Sequence, residues 1–288
     1  MRILIIGGDG MLGHQLLQSL QTQHEVKVTL RQPAAAYQAL ALFNDNNSFF
    51  NMDIAYPDRL LSIFSEFSPE IVINAVGMVK QRSEAKEVIP SLEINALFPQ
   101  HLALLCGAAK ARLILMSTDC VFSGNKGRYT EADTPDPKDV YGMSKFLGEV
   151  NAEGCLSVRT SIIGLELHRK QGLVEWFLAQ RGTIKGYRNA IYSGFTTLEI
   201  ARIIHFIITE HPDLHGLWHV ASQPINKFNL LRLLADYLDR KDISIEPFDD
   251  FHCDRSLEGA QFMAATGYQP PSWEMMLQEL ATQIKKTR

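Results

Sequence analysis

The chain has 288 residues, with 28 lysines and arginines against 32 aspartates and glutamates, so its formal net charge is −4. A hydrophobic content of 46% is enough for a packed core, and the length suits one large or two medium domains. A dense basic stretch is missing, which excludes nucleic acid as the expected partner. The first residues do not resemble a signal peptide, and no apolar run reaches about 18 residues. We therefore expect a soluble cytoplasmic protein without a membrane partner.

The spacing of the cysteines and histidines predicts neither a metal site nor a disulfide framework. The four cysteines are far apart and form no C-x-x-C pair, which is typical of reduced thiols in a cytosol. Five of the nine histidines lack metal-binding spacing, and these are His14, His101, His168, His205 and His219. No metal site is predicted.

The first twenty residues predict a strand, a glycine-rich turn and a helix. The apolar run RILII is followed by GGDGMLG at Gly7–Gly13 and then by the helical pattern HQLLQSL. Glycines 8, 10 and 13 fit G-x-G-x-x-G, while glycines 7, 10 and 13 fit G-x-x-G-x-x-G, and both registers remain open. Such a turn lets a pyrophosphate approach the backbone, at the start of a helix that points N–H groups at the anion. The predicted cofactor-binding residues here are Gly7, Gly10, Met11, Leu12 and Gly13.

The next two predicted strands bear on which dinucleotide is bound. The segment Val26–Leu30 predicts a strand, but no acid follows it before Asp45 to hold a ribose 2′-hydroxyl. Arg31 stands at the strand end, where it could hold a 2′-phosphate or lie in solvent, and we predict NADPH in preference to NADH. The segment Ser48–Met52 predicts a third strand before Asp53, which could accept from the adenine amino group or cap the next helix.

The following elements continue one repeating plan. We predict a helix at Pro57–Phe67, a buried strand at Ile71–Val76 and a long helix at Ser91–Ala109, in which Pro99 implies a kink. A fifth strand is predicted at Arg112–Thr118. Alternating strands and helices indicate an α/β fold, a Rossmann-type doubly wound parallel sheet.

A long loop and a helix follow the fifth strand. The loop Asp119–Asp139 is rich in Gly, Pro and Asp, and a loop of about 20 residues is usually functional. It leads into DVYGMSKFLGEV, a predicted helix that carries Tyr141 and Lys145. A sixth strand is predicted at Leu156–Ile163.

The plan breaks after Gly164. LVEWFLAQ predicts a lone helix, GTIKGYRNAIYSGFTT reads as irregular, and TTLEIARIIHFII predicts a helix capped by threonine. GLWHVAS predicts a strand at the edge of the main sheet. Two more helices, at Lys227–Leu238 and Ser272–Lys285, flank a short strand near Ile243. We expect an NAD(P)-binding domain at 1–165 plus about 190–222, and a smaller C-terminal α/β substrate lobe at about 166–189 plus 223–288.

Tyr141 and Lys145 are candidates for proton transfer. They are four residues apart and so share one face of a helix. A free tyrosine has a pKa of about 10, and a nearby ammonium lowers that pKa. Thr118 supplies a hydroxyl that can bind a carbonyl oxygen. Tyr-x-x-x-Lys also occurs as a surface pair, but its position just past the fifth strand favours catalysis.

Five motifs in this order resemble an extended short-chain dehydrogenase/reductase, of the dTDP-4-dehydrorhamnose reductase type: GGDGMLG, INAVG, LMSTD, VYGMSK and RTSIIG. The resemblance is strong over residues 1–165 and continues more loosely through GFTTLEIA and GLWHVAS. It implies that Tyr141 is the catalytic proton donor, that Lys145 holds the nicotinamide ribose, and that Thr118 polarises the sugar ketone.

The resemblance also implies a set of binding residues. The cofactor would be bound by Arg31, Asp53, Ile54, Asn74, Ala75, Val76 and Gly77, together with the glycine turn, Tyr141 and Lys145. The substrate would be bound by Met78, Val79, Thr118, Asp119, Val121, Phe122 and Arg255, the last contacting a diphosphate. Asn95 matches an asparagine placed near the site, or is a buried amide that joins a helix to a strand.

The implied function is NADPH-dependent reduction of a 4-keto-6-deoxy nucleotide sugar in polysaccharide or deoxysugar biosynthesis, with a homodimer as one expected state. Alternatives are a nucleotide-sugar epimerase and a non-catalytic NADP-binding subunit, like the beta regulatory subunit of methionine adenosyltransferase. Sugar 4,6-dehydratases carry an Asp-Glu pair after the threonine, but Cys120 follows Asp119 here. The family usually has an aromatic residue where Ile162 follows RTS, and the loop INAVGMVKQRSEA also departs from the pattern. Its Lys80, Gln81 and Arg82 could reach a phosphate or a carboxylate, or lie in solvent.

Overall fold

A computed structural model describes residues 1–54, 56–78, 87–168 and 170–287. In its first half, five strands alternate with helices, and their bounds in chain order are β1 Arg2–Ile6, α1 Gly13–Leu20, β2 Glu25–Thr29, β3 Ser48–Phe49, α2 Pro57–Phe67, β4 Ile71–Asn74, α3 Val88–Leu92, α4 Phe98–Ala109 and β5 Arg112–Met116. A 3₁₀ helix at Ala34–Leu40 follows β2, and a π-helical turn at Glu93–Leu97 joins α3 to α4. The predicted β1 and α2 are confirmed at both ends.

The second half mixes helices with short strands. Their bounds in chain order are α5 Val140–Leu147, β6 Cys155–Arg159, β7 Ile162–Ile163, α6 Leu173–Ala179, β8 Gly182–Tyr187, β9 Ala190–Tyr192, β10 Phe195–Thr196, α7 Thr197–Glu210, β11 Gly216–His219, β12 Ile225–Asn226, α8 Lys227–Tyr237, β13 Ile243–Phe248, β14 Cys253–Asp254, α9 Ala260–Thr266 and α10 Trp273–Thr287. None of the helices in the described ranges is both long and apolar enough to cross a membrane.

Seven strands form one sheet in the order β11-β6-β5-β4-β1-β2-β3, and every pairing in it is parallel. This order places β1 and β4 side by side, where the chain switches from one half of the sheet to the other. The carboxyl ends of strands at such a switch point border a crevice that binds ligands. The predicted doubly wound sheet is confirmed, and so is the edge position of GLWHVAS in β11.

Helices cover both faces of the sheet, because successive side chains of a strand point to opposite faces and both sets are apolar. Ile3 and Ile5 of β1 pack into a core with α1, α7 and α10, whereas Leu4 and Ile6 pack on the other face with α2 and α4. All four are fully buried. Burial on both faces explains why the strands read as unbroken apolar runs.

Several predicted strands end earlier than expected, such as β3, β4 and β5, and three predicted elements differ more from the observed ones. The predicted strand Leu156–Ile163 is divided, because β6 stays in the main sheet and β7 pairs with β10. The segment predicted as irregular forms β8, β9 and β10, and β8 pairs with β13 about 60 residues further along the chain. The predicted helix Ser91–Ala109 begins earlier and contains a π-helical turn just before Pro99, which lacks the N–H that a regular helix would use.

The smaller sheets lie beyond β6 in the chain. β9 is the middle strand of the order β12-β9-β14, and β8 pairs with β13. Residues 190–222, predicted as part of the first domain, therefore contribute β11 to the large sheet and β9 to a small one. The division into two domains stays a prediction.

Candidate active site

The glycine turn is built by close approach of its own backbone. Gly7 has a φ of +89°, and a Cβ atom there would lie 2.8 Å from Val76 Cγ2. A Cβ atom at Gly13 would collide with the Gly7 carbonyl oxygen, and one at Gly10 would lie 3.3 Å from that oxygen. The set 7, 10 and 13 is thus mutually packed, while Gly8 instead leaves room for the Val28 side chain.

The far end of the turn faces the end of β2. Gly10, Met11 and Leu12 line the central cleft, and so does Arg31, whose side chain is 63% exposed. The Arg31 Nε atom lies 3.9 Å from Asp53 Oδ2. Asp53 and its neighbour Ile54 lie outside the cleft lining, and Ile54 packs against the core.

Asp9 and Tyr37 support this end of the cleft, although the sequence analysis did not single them out. The Tyr37 hydroxyl donates to Asp9 Oδ2 at 2.9 Å and accepts from the Gln32 backbone N–H at 3.2 Å. Tyr37 is buried, and its hydrogen bonds join the glycine turn to the segment after β2. The exposed cation of Arg31 and the open glycine cradle fit a dinucleotide with an extra phosphate.

The end of β4 forms the next part of the wall. Ala75, Val76 and Gly77 line the cleft, whereas Asn74 is buried below it and accepts from the Val76 N–H at 3.1 Å. The Met78 side chain is buried too, within 3.6 Å of the Ser91 hydroxyl, and does not line the cleft. Val79, also predicted to bind substrate, lies outside the described residues.

Asn95 is a buried amide that joins three elements. Its Oδ1 accepts from the Met78 N–H at 2.8 Å, and its Nδ2 donates to the Met78 carbonyl at 3.2 Å and to the Ser144 hydroxyl at 3.0 Å. It lies on the π-helical turn, a feature often found at functional sites. Asn95 therefore ties the loop after β4 to α5, which carries Tyr141.

The start of α5 positions Tyr141. Asp139 caps the helix by accepting from the Gly142 N–H at 2.8 Å, which places Tyr141 in the first turn. A Cβ atom at Gly142 would collide with the Cys120 carbonyl, so α5 packs directly on the loop after β5. Thr118 lies on that loop and lines the same cleft as Tyr141, and its hydroxyl donates to Asp119 Oδ1 at 3.2 Å.

The electrostatics of Tyr141 and Lys145 correct one expectation. The pKa of Tyr141 is raised, not lowered, because burial of the phenol outweighs the opposing influence of the nearby Thr118 hydroxyl. Burial also lowers the pKa of Lys145 from 10.5 to about 8. The Lys145 ammonium donates to the Met116 carbonyl at 2.7 Å, so its charge is directed at the backbone of β5.

The opposite end of the cleft holds an acid and a cation. Asp119 is buried, which raises its pKa, and Arg255 is the nearby charge that acts against this rise. Arg255 lines the cleft and donates through Nε to the Phe122 carbonyl at 2.9 Å. Val121 and Phe122, predicted to bind substrate, do not line the cleft, since both are fully buried and Phe122 stacks on Tyr129.

These walls border a cleft of about 840 Å³, which is in the upper part of the usual size range of ligand-binding pockets. Of the residues that the sequence predicted, those that line it are Gly10, Met11, Leu12, Arg31, Ala75, Val76, Gly77, Thr118, Asp119, Tyr141, Lys145 and Arg255. The sequence did not identify Thr160 and Tyr192, which also line it. Thr160 lies in the RTS motif, which indicated the family but no binding role, and the sequence of β9, which carries Tyr192, contains no functional motif. Over the described ranges, no three or more His, Cys, Asp or Glu residues are grouped to hold a metal ion.

A Rossmann-type sheet with Thr118, Tyr141 and Lys145 in the cleft at its switch point defines the chain as a short-chain dehydrogenase/reductase. Residues 1–286 match the family described as "RmlD substrate binding domain", and the chain belongs to that family.

The names of similar proteins support this family assignment. The chain is 28% identical over 233 residues to "dTDP-4-dehydrorhamnose reductase" of Aggregatibacter actinomycetemcomitans, covering 77% of this chain and 74% of the relative. It is 28% identical to "Spore coat polysaccharide biosynthesis protein SpsK" of Bacillus subtilis, covering 78% and 74%. The crystal structure of dTDP-4-dehydrorhamnose reductase from Bacillus anthracis in complex with NADP shares the fold, with a TM-score of 0.79, 22% identity and coverage of 98% and 99%. The predicted family and fold are confirmed.

Proposed function

We propose that the chain is an NADPH-dependent reductase of a 4-keto-6-deoxy nucleotide sugar. The observation that carries the proposal is that Thr118, Tyr141 and Lys145 line the same cleft as the glycine turn. The names of the relatives support the same substrate class and a role in polysaccharide biosynthesis.

Tyr141 is the proton donor in this proposal. Its raised pKa keeps the phenol protonated at neutral pH, which suits a group that must give a proton to a developing alkoxide. The Thr118 hydroxyl lies beside the phenol and binds the same substrate oxygen, so the two groups stabilise the charge that forms there. Bound NADPH supplies the hydride.

Lys145 and the glycine turn hold the cofactor. Lys145 stands one helical turn after Tyr141 and close to Gly77, where a Cβ atom would lie 3.6 Å from Nζ. Its ammonium orients a ribose hydroxyl, and the N–H groups at the start of α1 bind the pyrophosphate. Arg31 selects the 2′-phosphate, since its side chain lines the cleft at the end of β2.

The substrate occupies the other end of the cleft, where Arg255 supplies a cation for the diphosphate. The proposal includes the division of the chain into a cofactor domain and a smaller substrate lobe. It also includes a cytoplasmic location, in which the four cysteines stay free. A homodimer is one expected state of assembly.

A panel of nucleotide sugars tests the proposal. Each sugar is added to the protein with NADPH, binding is followed by thermal shift, and turnover is followed by the loss of absorbance at the reduced nicotinamide. A 4-keto-6-deoxy sugar should consume NADPH in a 1:1 ratio to the product. Interconversion of sugars without net consumption would instead identify an epimerase, and binding of NADPH without any turnover would identify a regulatory subunit.

A further inference from the structure

Two buried hydroxyl groups in the cleft wall lack hydrogen-bond partners. The side chains of Tyr192 and Thr160 are buried, with exposed fractions of 6% and 2% for the two residues. In the part of the chain that the structure describes, neither the Tyr192 Oη nor the Thr160 Oγ1 atom has a partner. Leaving a buried hydroxyl unpaired is costly, so each such group in a folded protein calls for a reason.

Neighbouring buried hydroxyls are paired, which makes these two exceptional. The Ser193 hydroxyl, one residue after Tyr192, donates to the Leu257 carbonyl at 3.2 Å. The Ser222 hydroxyl donates to the Gly194 carbonyl at 2.6 Å. The surrounding backbone therefore offers acceptors to other side chains, while the two unpaired hydroxyls belong to residues that line the cleft.

Both hydroxyls belong to the substrate end of the cleft. The Thr160 carbonyl accepts from the Asp119 N–H at 3.3 Å, which fixes the end of β6 beside the loop that carries Thr118. Tyr192 lies on β9, whose Ile191 carbonyl accepts from the Arg255 N–H at 2.9 Å. The charge of Asp119 also acts on the Tyr192 phenol. Asp119 thus lies near both Thr160 and Tyr192.

We propose that Tyr192 and Thr160 bind hydroxyl groups of the sugar ring and set which nucleotide sugar is accepted. This inference rests on the proposed function. A neutral hydroxyl both donates and accepts, which matches another hydroxyl, whereas a phosphate is matched by the nearby cation of Arg255. Burial raises the pKa of Tyr192, so its phenol stays a donor throughout the neutral range.

Tyr192→Phe and Thr160→Val remove the hydroxyls with little change in shape. We expect each variant to raise the KM for the accepted sugar about tenfold, as expected for one lost hydrogen bond, with the KM for NADPH unchanged. Wild type should prefer a hydroxylated sugar over its deoxy analogue, and the matching variant should treat the two alike. This loss of discrimination is a readout that a merely structural role would not give.

Stability provides the matched control. Tyr268 donates to Oε1 of the buried Glu199 at 2.7 Å, so Tyr268→Phe removes a hydrogen bond from this carboxylate, which keeps only its ion pair with Arg202, and should lower the Tm. Tyr192→Phe breaks no hydrogen bond within the described chain and should keep or raise the Tm. Unchanged KM values and unchanged discrimination in both cleft variants would overturn the inference, and so would a loss of Tm in Tyr192→Phe equal to that in Tyr268→Phe. Failure of the proposed function gives a different result, in which wild type itself neither binds nor reduces any nucleotide sugar, and the inference then falls with it.

Discussion

Replacing Tyr141 with phenylalanine tests the proton donor directly. The ring keeps its place in the first turn of α5, because the Asp139 cap and the packing of Gly142 on the loop after β5 do not involve the hydroxyl. The variant loses only the phenolic hydroxyl and its interaction with the nearby Thr118. The chemical step then lacks its acid while the cleft keeps its shape.

The expected losses differ in size for catalysis and for stability. General acid catalysis is worth about 10²–10⁴-fold, or about 3–5 kcal/mol of barrier, so kcat should fall by that factor. One lost hydrogen bond costs about 0.5–1.5 kcal/mol of the free energy of unfolding, out of about 5–15 kcal/mol. The variant therefore stays folded at 25 °C, and its lower activity cannot come from unfolding.

The assay follows NADPH oxidation with the best sugar from the panel, alongside the NADPH Kd from nicotinamide fluorescence. The Kd should be unchanged within a factor of about three, since the phenol is not needed to hold the pyrophosphate. Tyr56→Phe is the matched control, because that tyrosine is 69% exposed. A Tyr141→Phe variant with the kcat of wild type would refute the assignment of Tyr141 as the acid.

Two further outcomes follow from the charges in the cleft. Arg31→Ala should raise the KM for NADPH about fivefold to tenfold and leave the KM for NADH unchanged. The effect should be smaller at high salt, because the Arg31 side chain is exposed. An unchanged ratio of the two KM values would show that Arg31 has no part in selecting the phosphate. The kcat should fall as the pH rises through about 8, since Lys145 loses its proton there while the raised pKa of Tyr141 keeps the phenol neutral. Lys145→Arg keeps the charge at every pH and should remove that alkaline fall, whereas an identical profile in the variant would assign the fall to another group.

Local patterns in the sequence predicted the part of the site that depends on neighbours in the chain. The turn at Gly7–Gly13 lies between a strand and a helix, and Tyr141 and Lys145 share a helical face, because strand, turn and helix periodicity are properties of short segments. The apolar runs likewise predicted the parallel sheet. The order of the strands at the switch point then brought the glycine turn and Thr118 to one edge.

Patterns of this kind could not predict what depends on distant partners. The segment with β8 read as irregular because its pairing partner, β13, lies about 60 residues away. Nor could they show that burial raises the pKa of Tyr141 above its free value, in spite of a lysine one turn away. A pKa depends on how much water the surrounding fold removes, which no local pattern records.

The sequence by itself determined the family, the doubly wound sheet and the identity of the residues proposed for proton transfer, because these follow from motifs and periodicity within short stretches. Only the tertiary structure decided that glycines 7, 10 and 13 pack as one set, that Asn95 ties the loop after β4 to α5, and that Val121 and Phe122 face the core. It alone placed Thr160 and Tyr192, whose buried hydroxyls have no partner in the described chain, among the residues that line the cleft, since they lie on segments far apart in the chain.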